Sequence, residues 1–398
     1  MRGISSHSLK WGEMSYKLKC IMGLIVVILC CSCCEYKNTN GRKGTNEYSM
    51  ELSQEKSFFL DSTTSQEVKY MQLLGDTSLA IFNPPMNNIC FFDWATGKER
   101  MKINLHKEGP HAVKGIVGFY FQSKDSVWLY DYWRKELYLA DFEGNIKERR
   151  SLKDLLYPIA KQPYSVYPYP QTSTPFKKVD NKFILSGMDG IISDASDGVL
   201  PATTVLYDWN TNKLETKNPY PSVYDNKDKM SAWHAFAYKQ VPYTLNDKRE
   251  MVFSFPASDS IVVYSIDKDS YSSFFAGYSE ETHIKPHVST SEIDSHRNYL
   301  EQYQYSSILY DSYRNLYYRL VVLPKMDYDL NDPATQQKDL AVIILNKNFE
   351  KVGEYQLEHE RYYYGHSFVV PDGLCINVVS DDDDYLKFKV LKAIKNEK

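Results

Sequence analysis

The body of this chain has almost no cysteine. Seven cysteines occur in 398 residues, and five of them (Cys20, Cys30, Cys31, Cys33 and Cys34) fall before residue 35. Only Cys90 and Cys375 remain, far apart and each within an apolar strand-like run. That excludes a disulfide scaffold and reads as two small buried hydrophobes. An excess of one charge is also missing: 47 basic residues face 51 acidic ones, a net charge of −4. There is no global basic field, so nucleic acid is not an expected partner. Signatures of common chemistry are absent too. No Gly-x-Ser-x-Gly elbow, phosphate loop, dinucleotide fingerprint or zinc-finger spacing occurs, and no cofactor is implied. The segment Ser186–Gly190 has only a superficial likeness to an elbow and reads as a strand end plus turn. His359 and Glu360 lack the second histidine of a metalloprotease helix.

What the sequence has in quantity is aromatic residues: 33 Tyr, 18 Phe and 6 Trp. Such side chains favour half-buried pleated strands. With 43% hydrophobic and 25% charged residues the chain is globular rather than disordered. Its length suits two average domains or one large all-β domain.

The N-terminus stands apart. Lys17 and Lys19 precede an apolar run from Ile21 to Leu29, which ends in Cys30, Cys31, Ser32, Cys33 and Cys34. A basic region, an apolar stretch of about 7–15 residues and a small-residue site describe a secretory signal. A cleavage region ending in cysteine resembles a lipoprotein lipobox, with Ser32 before the cut and Cys33 lipidated. Cys30 stands where leucine is usual, and Cys34 is a second candidate. Either Met1 or Met14 is the start, and an uncleaved membrane helix is the alternative. The expected organisation is a signal peptide over 1–33, a polar tether over 34–52 and a β-domain over 53–398. Acyl chains on Cys33 would anchor that domain to a membrane of the bacterial cell envelope.

The body repeats. Residues 88–98 (NICFFDWATGK), 136–145 (ELYLADFEGN), 204–213 (TVLYDWNTNK), 260–269 (SIVVYSIDKD) and 340–349 (LAVIILNKNF) share one plan. Each is an apolar strand running into a turn rich in Asp, Asn and Gly, followed by a more polar strand. Those turn residues accept the backbone angles of a tight hairpin. Two more strand-like runs precede each hairpin, as 115–122 (GIVGFYFQ) and 127–132 (VWLYDY) do. The unit is therefore four antiparallel strands, with copies beginning near Val68, Gly115, Phe176, Phe236, Tyr303 and Gly365. Polar or Pro-rich inserts lie at 153–174, 219–234, 276–302 and 325–338. The last copy supplies only three strands, and a spare one, Lys56–Asp61, precedes the first. The expected fold is all-β: a six-bladed β-propeller of four-stranded antiparallel blades, its ring closed by an N-terminal strand. A pair of β-sandwiches is the alternative.

The Cys33 region, the Asp93-Trp94, Asp141-Phe142 and Asp208-Trp209 turns and the Leu316–Arg319 strand carry a resemblance. The chain resembles the uncharacterised lipoproteins of Gram-negative gut anaerobes that have a TolB-like six-bladed β-propeller. The likeness covers lipobox, tether and body. It implies a periplasmic or surface lipoprotein of the outer membrane with no established chemistry, and it transfers no catalytic residues.

Propeller ligands usually meet the mouth of the central channel, beside the innermost strands and the loops that enter them. By position the binding candidates are His111, Trp233, His234, Arg319 and His366. The Tyr-rich stretches Tyr164–Tyr169 and Tyr362–Tyr364 suit a glycan reader, though packing between blades would also use them. For Arg319 the architectural reading is a buried arginine paired to a carboxylate. His283, His287 and His296 form the densest histidine group, but Pro286 prevents a helix that would set His283 and His287 on one face. A solvated loop is the reading there. Asp381–Asp384 reads as a solvated turn rather than a calcium loop. No metal and no catalytic residue is expected. The functional expectation is a binding or scaffold protein for a glycan, peptide or envelope protein. The alternative is a propeller glycan hydrolase or lyase, and a hydrolase would need two carboxylates about 5–10 Å apart.

Overall fold

The computed structural model describes residues 46–66, 68–160, 166–189, 202–224, 238–278, 284–286 and 291–397. The expected signal peptide, Cys33, Trp233, His234, His283 and His287 lie outside the described residues. The architecture is six antiparallel sheets arranged in a ring, a six-bladed β-propeller. The strand β1 (Tyr48–Phe59) comes first in the chain but belongs to the last blade.

The first blade is β2 (Met71–Leu74), β3 (Ser78–Asn83), β4 (Asn88–Asp93) and β5 (Glu99–Asn104). The second is β6 (Ile116–Ser123), β7 (Ser126–Asp131), β8 (Glu136–Ala140) and β9 (Ile146–Ser151). A short helix, α1 (Lys153–Ala160), leads to the third. There β10 (Val166–Pro168) and β11 (Lys177–Val179) both pair with β12 (Lys182–Asp189), followed by β13 (Ala202–Asp208) and β14 (Lys213–Pro219). The fourth is β15 (Tyr243–Leu245), β16 (Glu250–Ser254), β17 (Ser260–Ser265) and β18 (Ser270–Phe275). After α2 (Glu292–Glu301) come β19 (Gln304–Asp311), β20 (Leu316–Val322), β21 (Leu340–Asn346) and β22 (Lys351–Gln356). The sixth blade is β23 (Tyr362–Val370), β24 (Gly373–Val378), β25 (Tyr385–Lys395) and β1.

Burial explains the composition of each strand. The two middle strands of a blade are covered on both faces by neighbouring blades, so β4 (NICFFD) and β20 (LYYRLVV) are buried along their whole length. Outer strands meet solvent, and β5 (ERMKIN) and β14 (KLETKNP) are polar accordingly. The apolar layers lie between blades. One joins Phe119, Trp128 and Leu129 to Phe183 and Tyr207, and another joins Phe253 and Ile261 to Tyr305 and Ile343. Cys90 and Cys375 are buried free thiols in this packing.

The recurrent Asp or Asn of the hairpins has one job. Its side-chain oxygen accepts the backbone N–H groups two or three residues on, closing the turn. Asp93 accepts from Thr96 N, Asp208 from Asn210 and Thr211 N, and Asn346 from Asn348 N. Two turns also need glycine. Gly97 (φ +68°) and Gly144 (φ +84°) would place a Cβ 2.1 Å and 2.2 Å from the carbonyl oxygens of Ser57 and Asn104 on the preceding blade's outer strand.

Ring closure follows expectation. β1 pairs antiparallel with β25 from Tyr48↔Lys395 to Phe59↔Tyr385, with one register shift between Leu52 and Gln54. The strand takes in residues 48–52, which composition assigned to the tether. Phe58 meets Phe388 of its own blade at 5.8 Å and Phe92 of the first blade at 5.9 Å, both edge-on, so one side chain locks the two blades together.

Candidate functional site

The loops that enter the innermost strands gather on one face. There they surround a cavity of about 770 Å³. Gln171 and Ser173 come from the segment before β11, and Tyr238, Gln240 and Pro242 from the segment before β15. Tyr305 and Ser306 open β19, while Tyr364 and Gly365 lie on β23. The remaining wall is α2, through Glu292, His296, Asn298 and Tyr299.

The part of the insert over 291–302 is thus a wall and not a solvated loop, because it carries α2. The side chain of Ser291 caps the helix by accepting from Asp294 N, and Glu292 and Asp294 complement the positive end of its dipole. Leu300 is buried beneath it. At the other end Lys338 donates to the carbonyls of Tyr299 (2.5 Å) and Gln302 (2.6 Å), groups that a helix end leaves without partners. Its ammonium also lies 4.5 Å from the centre of the Tyr299 ring. Burial pulls Lys338 down to about 7.

The aromatic wall is tied together. The hydroxyls of Tyr299 and Tyr364 meet at 3.3 Å, and Tyr364 donates to Gln304 Oε1 at 3.4 Å. Tyr299 stacks on His296 at 6.4 Å between ring centres, and the other edge of His296 meets Gln336 Oε1 at 2.7 Å. Desolvation raises the phenols of Tyr238, Tyr299 and Tyr364, so all three stay neutral at physiological pH. The side-chain amides of Gln171 and Asn298 make no hydrogen bond to the described residues. Among the described lining residues Glu292 is the one carboxylate. Beside Glu292 and His296 the described lining consists of tyrosines, prolines, a glycine, and amide and hydroxyl side chains.

The sequence candidates are not drawn together here. Arg319 lies in β20, fully buried, and all five of its N–H donors are used. Nε donates to Ser254 Oγ (3.0 Å), Nη1 to the carbonyls of Asp259 (3.1 Å) and Ala276 (2.9 Å), and Nη2 to those of Phe255 (3.3 Å) and Ser258 (2.6 Å). Its partners are therefore carbonyls and one hydroxyl, not the carboxylate expected. The guanidinium also stacks 3.8 Å from the ring centre of Tyr305, a residue that lines the cavity. Arg319 thus shapes the mouth from behind and has no donor left for a ligand.

His366 sits beside Gly365 but turns to Asn377, with Nδ1 at 3.3 Å from Oδ1. Burial pulls its pKa down to about 4, which leaves the ring neutral at physiological pH. His111 accepts a hydrogen bond from Ile146 N at 3.0 Å and fastens the loop between the first two blades. Neither His111 nor His366 lines the cavity. Of the Tyr-rich stretches, Tyr364 does.

Other motifs resolve into architecture. Ser186 is buried in β12 and donates to Thr203 O at 3.4 Å. Asp381 pairs with Arg361 and Asp383 accepts from Gln66, within the turn between β24 and β25. Among the described residues no group of three or more His, Cys, Asp or Glu side chains could hold a metal ion.

Below the mouth a second cavity, about 420 Å³, follows the channel axis. Its lining comes from the innermost strands of all six blades, including Gln72, Tyr120, Lys177, Thr244, Tyr310 and Ser367.

Comparison with known proteins agrees with this architecture. A family profile described as a domain of unknown function, DUF4221, matches residues 45–356. The chain is similar to a DUF4221 member from Bacteroides vulgatus of known crystal structure, with 22% identity and a TM-score of 0.74 over 88% of this chain and 100% of that one. It is also similar to a candidate exported protein of Bacteroides fragilis, at 11% identity and a TM-score of 0.55 over 91% of this chain and 98% of that one. At such identities the likeness establishes the fold. A search of curated proteins finds no match.

Proposed function

This chain belongs to the DUF4221 family, and from the chemistry of its mouth we propose that it is an envelope-anchored propeller that binds a glycan. The observation that carries this reading is the cavity of about 770 Å³, with one carboxylate in its described lining, where tyrosine rings share the wall with the amides of Gln171 and Asn298, which make no hydrogen bond to the described residues. Sugar rings offer C–H faces to aromatic side chains and hydroxyls to amides, and the cavity presents both. A cavity of this size is that of a small-molecule site. A hydrolase would need a pair of carboxylates, and Glu292 alone among the described lining residues supplies one. Binding is therefore favoured over turnover.

The test is a glycan and peptide array probed with the wild type and with Gln171→Ala and Asn298→Ala. Each change removes an amide that supports nothing else among the described residues. Each should weaken glycan binding about three- to tenfold, the worth of one hydrogen bond, with thermal unfolding unchanged. Binding confined to peptides, or glycan binding indifferent to both changes, overturns the reading.

Anchoring at Cys33 rests on the lipobox-like segment, and a structural neighbour described as a candidate exported protein is consistent with it. In cells fed labelled palmitate the protein should carry label, and Cys33→Ser should lose it. Label retained in Cys33→Ser and lost in Cys34→Ser would move the anchor by one residue.

A further inference from the structure

The mouth cavity and the channel cavity are stacked. Ser173 lines both, and from there the linings continue along the same strands: Pro242 then Tyr243, Ser306 then Leu309, Gly365 then Ser367. A ligand seated in the mouth turns its inner end towards the channel.

The channel lining has a marked polarity. Among its described residues there is no carboxylate, and there are two lysines, Lys177 and Lys178. Consecutive residues of a strand point to opposite sides. Lys178 is committed: its ammonium lies 5.2 Å from the ring of Trp128 and 3.5 Å from Gln122 Oε1. Lys177 makes no hydrogen bond or ion pair with the described residues. Burial also pulls its pKa down, as for an ammonium short of compensating charge. On the neighbouring blade the hydroxyl of Tyr120 likewise makes no hydrogen bond with the described residues. Most other polar groups of this lining are engaged. Gln72 exchanges two bonds with the backbone of Phe121, Tyr310 donates to Asp247, Tyr243 donates to Pro175 O and Ser367 donates to Tyr364 O.

An ammonium without a hydrogen bond to the described residues, in a lining whose described residues include no carboxylate, and with a phenol on the next blade that makes no hydrogen bond there either, is a receptor for a negative group. We propose that the glycan held at the mouth is acidic, and that its carboxylate descends into the channel to Lys177 with Tyr120 as a further donor. This inference rests on the glycan reading above. It makes Lys177 the residue that separates uronic acids from neutral sugars.

The experiment is calorimetric titration of the full chain, kept soluble in detergent micelles, with uronate oligosaccharides and with the same oligosaccharides after reduction of their carboxyl groups to alcohols. The acidic form should bind at least tenfold more tightly, the effect of one charge-assisted hydrogen bond. Lys177→Met should erase that preference and leave the affinity for the reduced form unchanged, while Lys178→Met should keep the preference. Equal binding of both forms, or a preference that survives Lys177→Met, overturns the acidic assignment and leaves the glycan reading standing. If neither sugar binds, the glycan reading fails, and with it the acidic-glycan assignment. Titration with acetate and with inorganic phosphate then asks whether an anion site at Lys177 exists without the sugar.

Discussion

Arg319→Met lowers the stability of the propeller by about 3–5 kcal/mol, the cost of leaving buried polar groups without their charged partner. Methionine keeps much of the length and the apolar stem. It removes all the donors that hold Ser254, Phe255, Ser258, Asp259 and Ala276. Those groups belong to the fourth blade, whereas Arg319 belongs to the fifth, so the loss falls on the joint between blades. Urea unfolding of the two proteins reads the difference directly. A loss below about 1 kcal/mol would mean that water replaces the guanidinium and that the network is not structural. Arg319→Lys separates architecture from recognition. A lysine has three donors and no planar fork, so it should recover only part of the stability. Its glycan affinity should stay within about twofold of wild type, because Arg319 spends no donor on the cavity.

The largest effect is expected from removing β1. A chain beginning at residue 61 loses the outer strand of the sixth blade together with Met50, Phe58 and Leu60, all buried. It leaves β25 as an open edge with uncovered apolar side chains, a template for pairing with other chains. Such a chain should aggregate or unfold without cooperativity, while one beginning at residue 46 should melt as a single unit. A peptide of residues 46–60 added in trans should restore solubility. If the shorter chain is monomeric and melts within a few degrees of the longer one, the strand is an ornament on a ring that stands without it.

The repeat, the blade count and the closing strand were legible because each rests on local chemistry. The Asp93, Asp141 and Asp208 turns announce hairpins through side-chain bonds that span only a few residues, and an unbroken run such as LAVIILN announces a strand covered on both faces. The mouth was legible as a place, and Tyr364 as part of it. Its other walls were not. Tyr238, Gln240 and Asn298 come from separate segments that meet only once the ring has formed, and no spacing along the chain encodes that meeting. α2 lies within an insert whose polar composition reads as loop, and its cap at Ser291 was the one local sign. Arg319 was a candidate by position, but a charge within an apolar strand marks a buried network as readily as a ligand contact. His366 was chosen for its neighbourhood, yet a one-residue step along β23 turns it from the cavity to Asn377. Lys177 gave no sign at all, since a lysine at a strand start is ordinary until five other blades enclose it.

The bond between Ser49 and Asn396 joins residues 347 apart in sequence. Each of the other blades can assemble from neighbouring hairpins as the chain emerges, but the sixth cannot be completed until β25 has been made. β1 must therefore wait unpaired while the five other blades and the rest of the sixth are made, and closure brings together strands more than 300 residues apart in sequence. Ring closure is the natural slow step of folding. During that interval two strand edges stand open at once, so the protein is most exposed to misassembly just before it becomes most rigid.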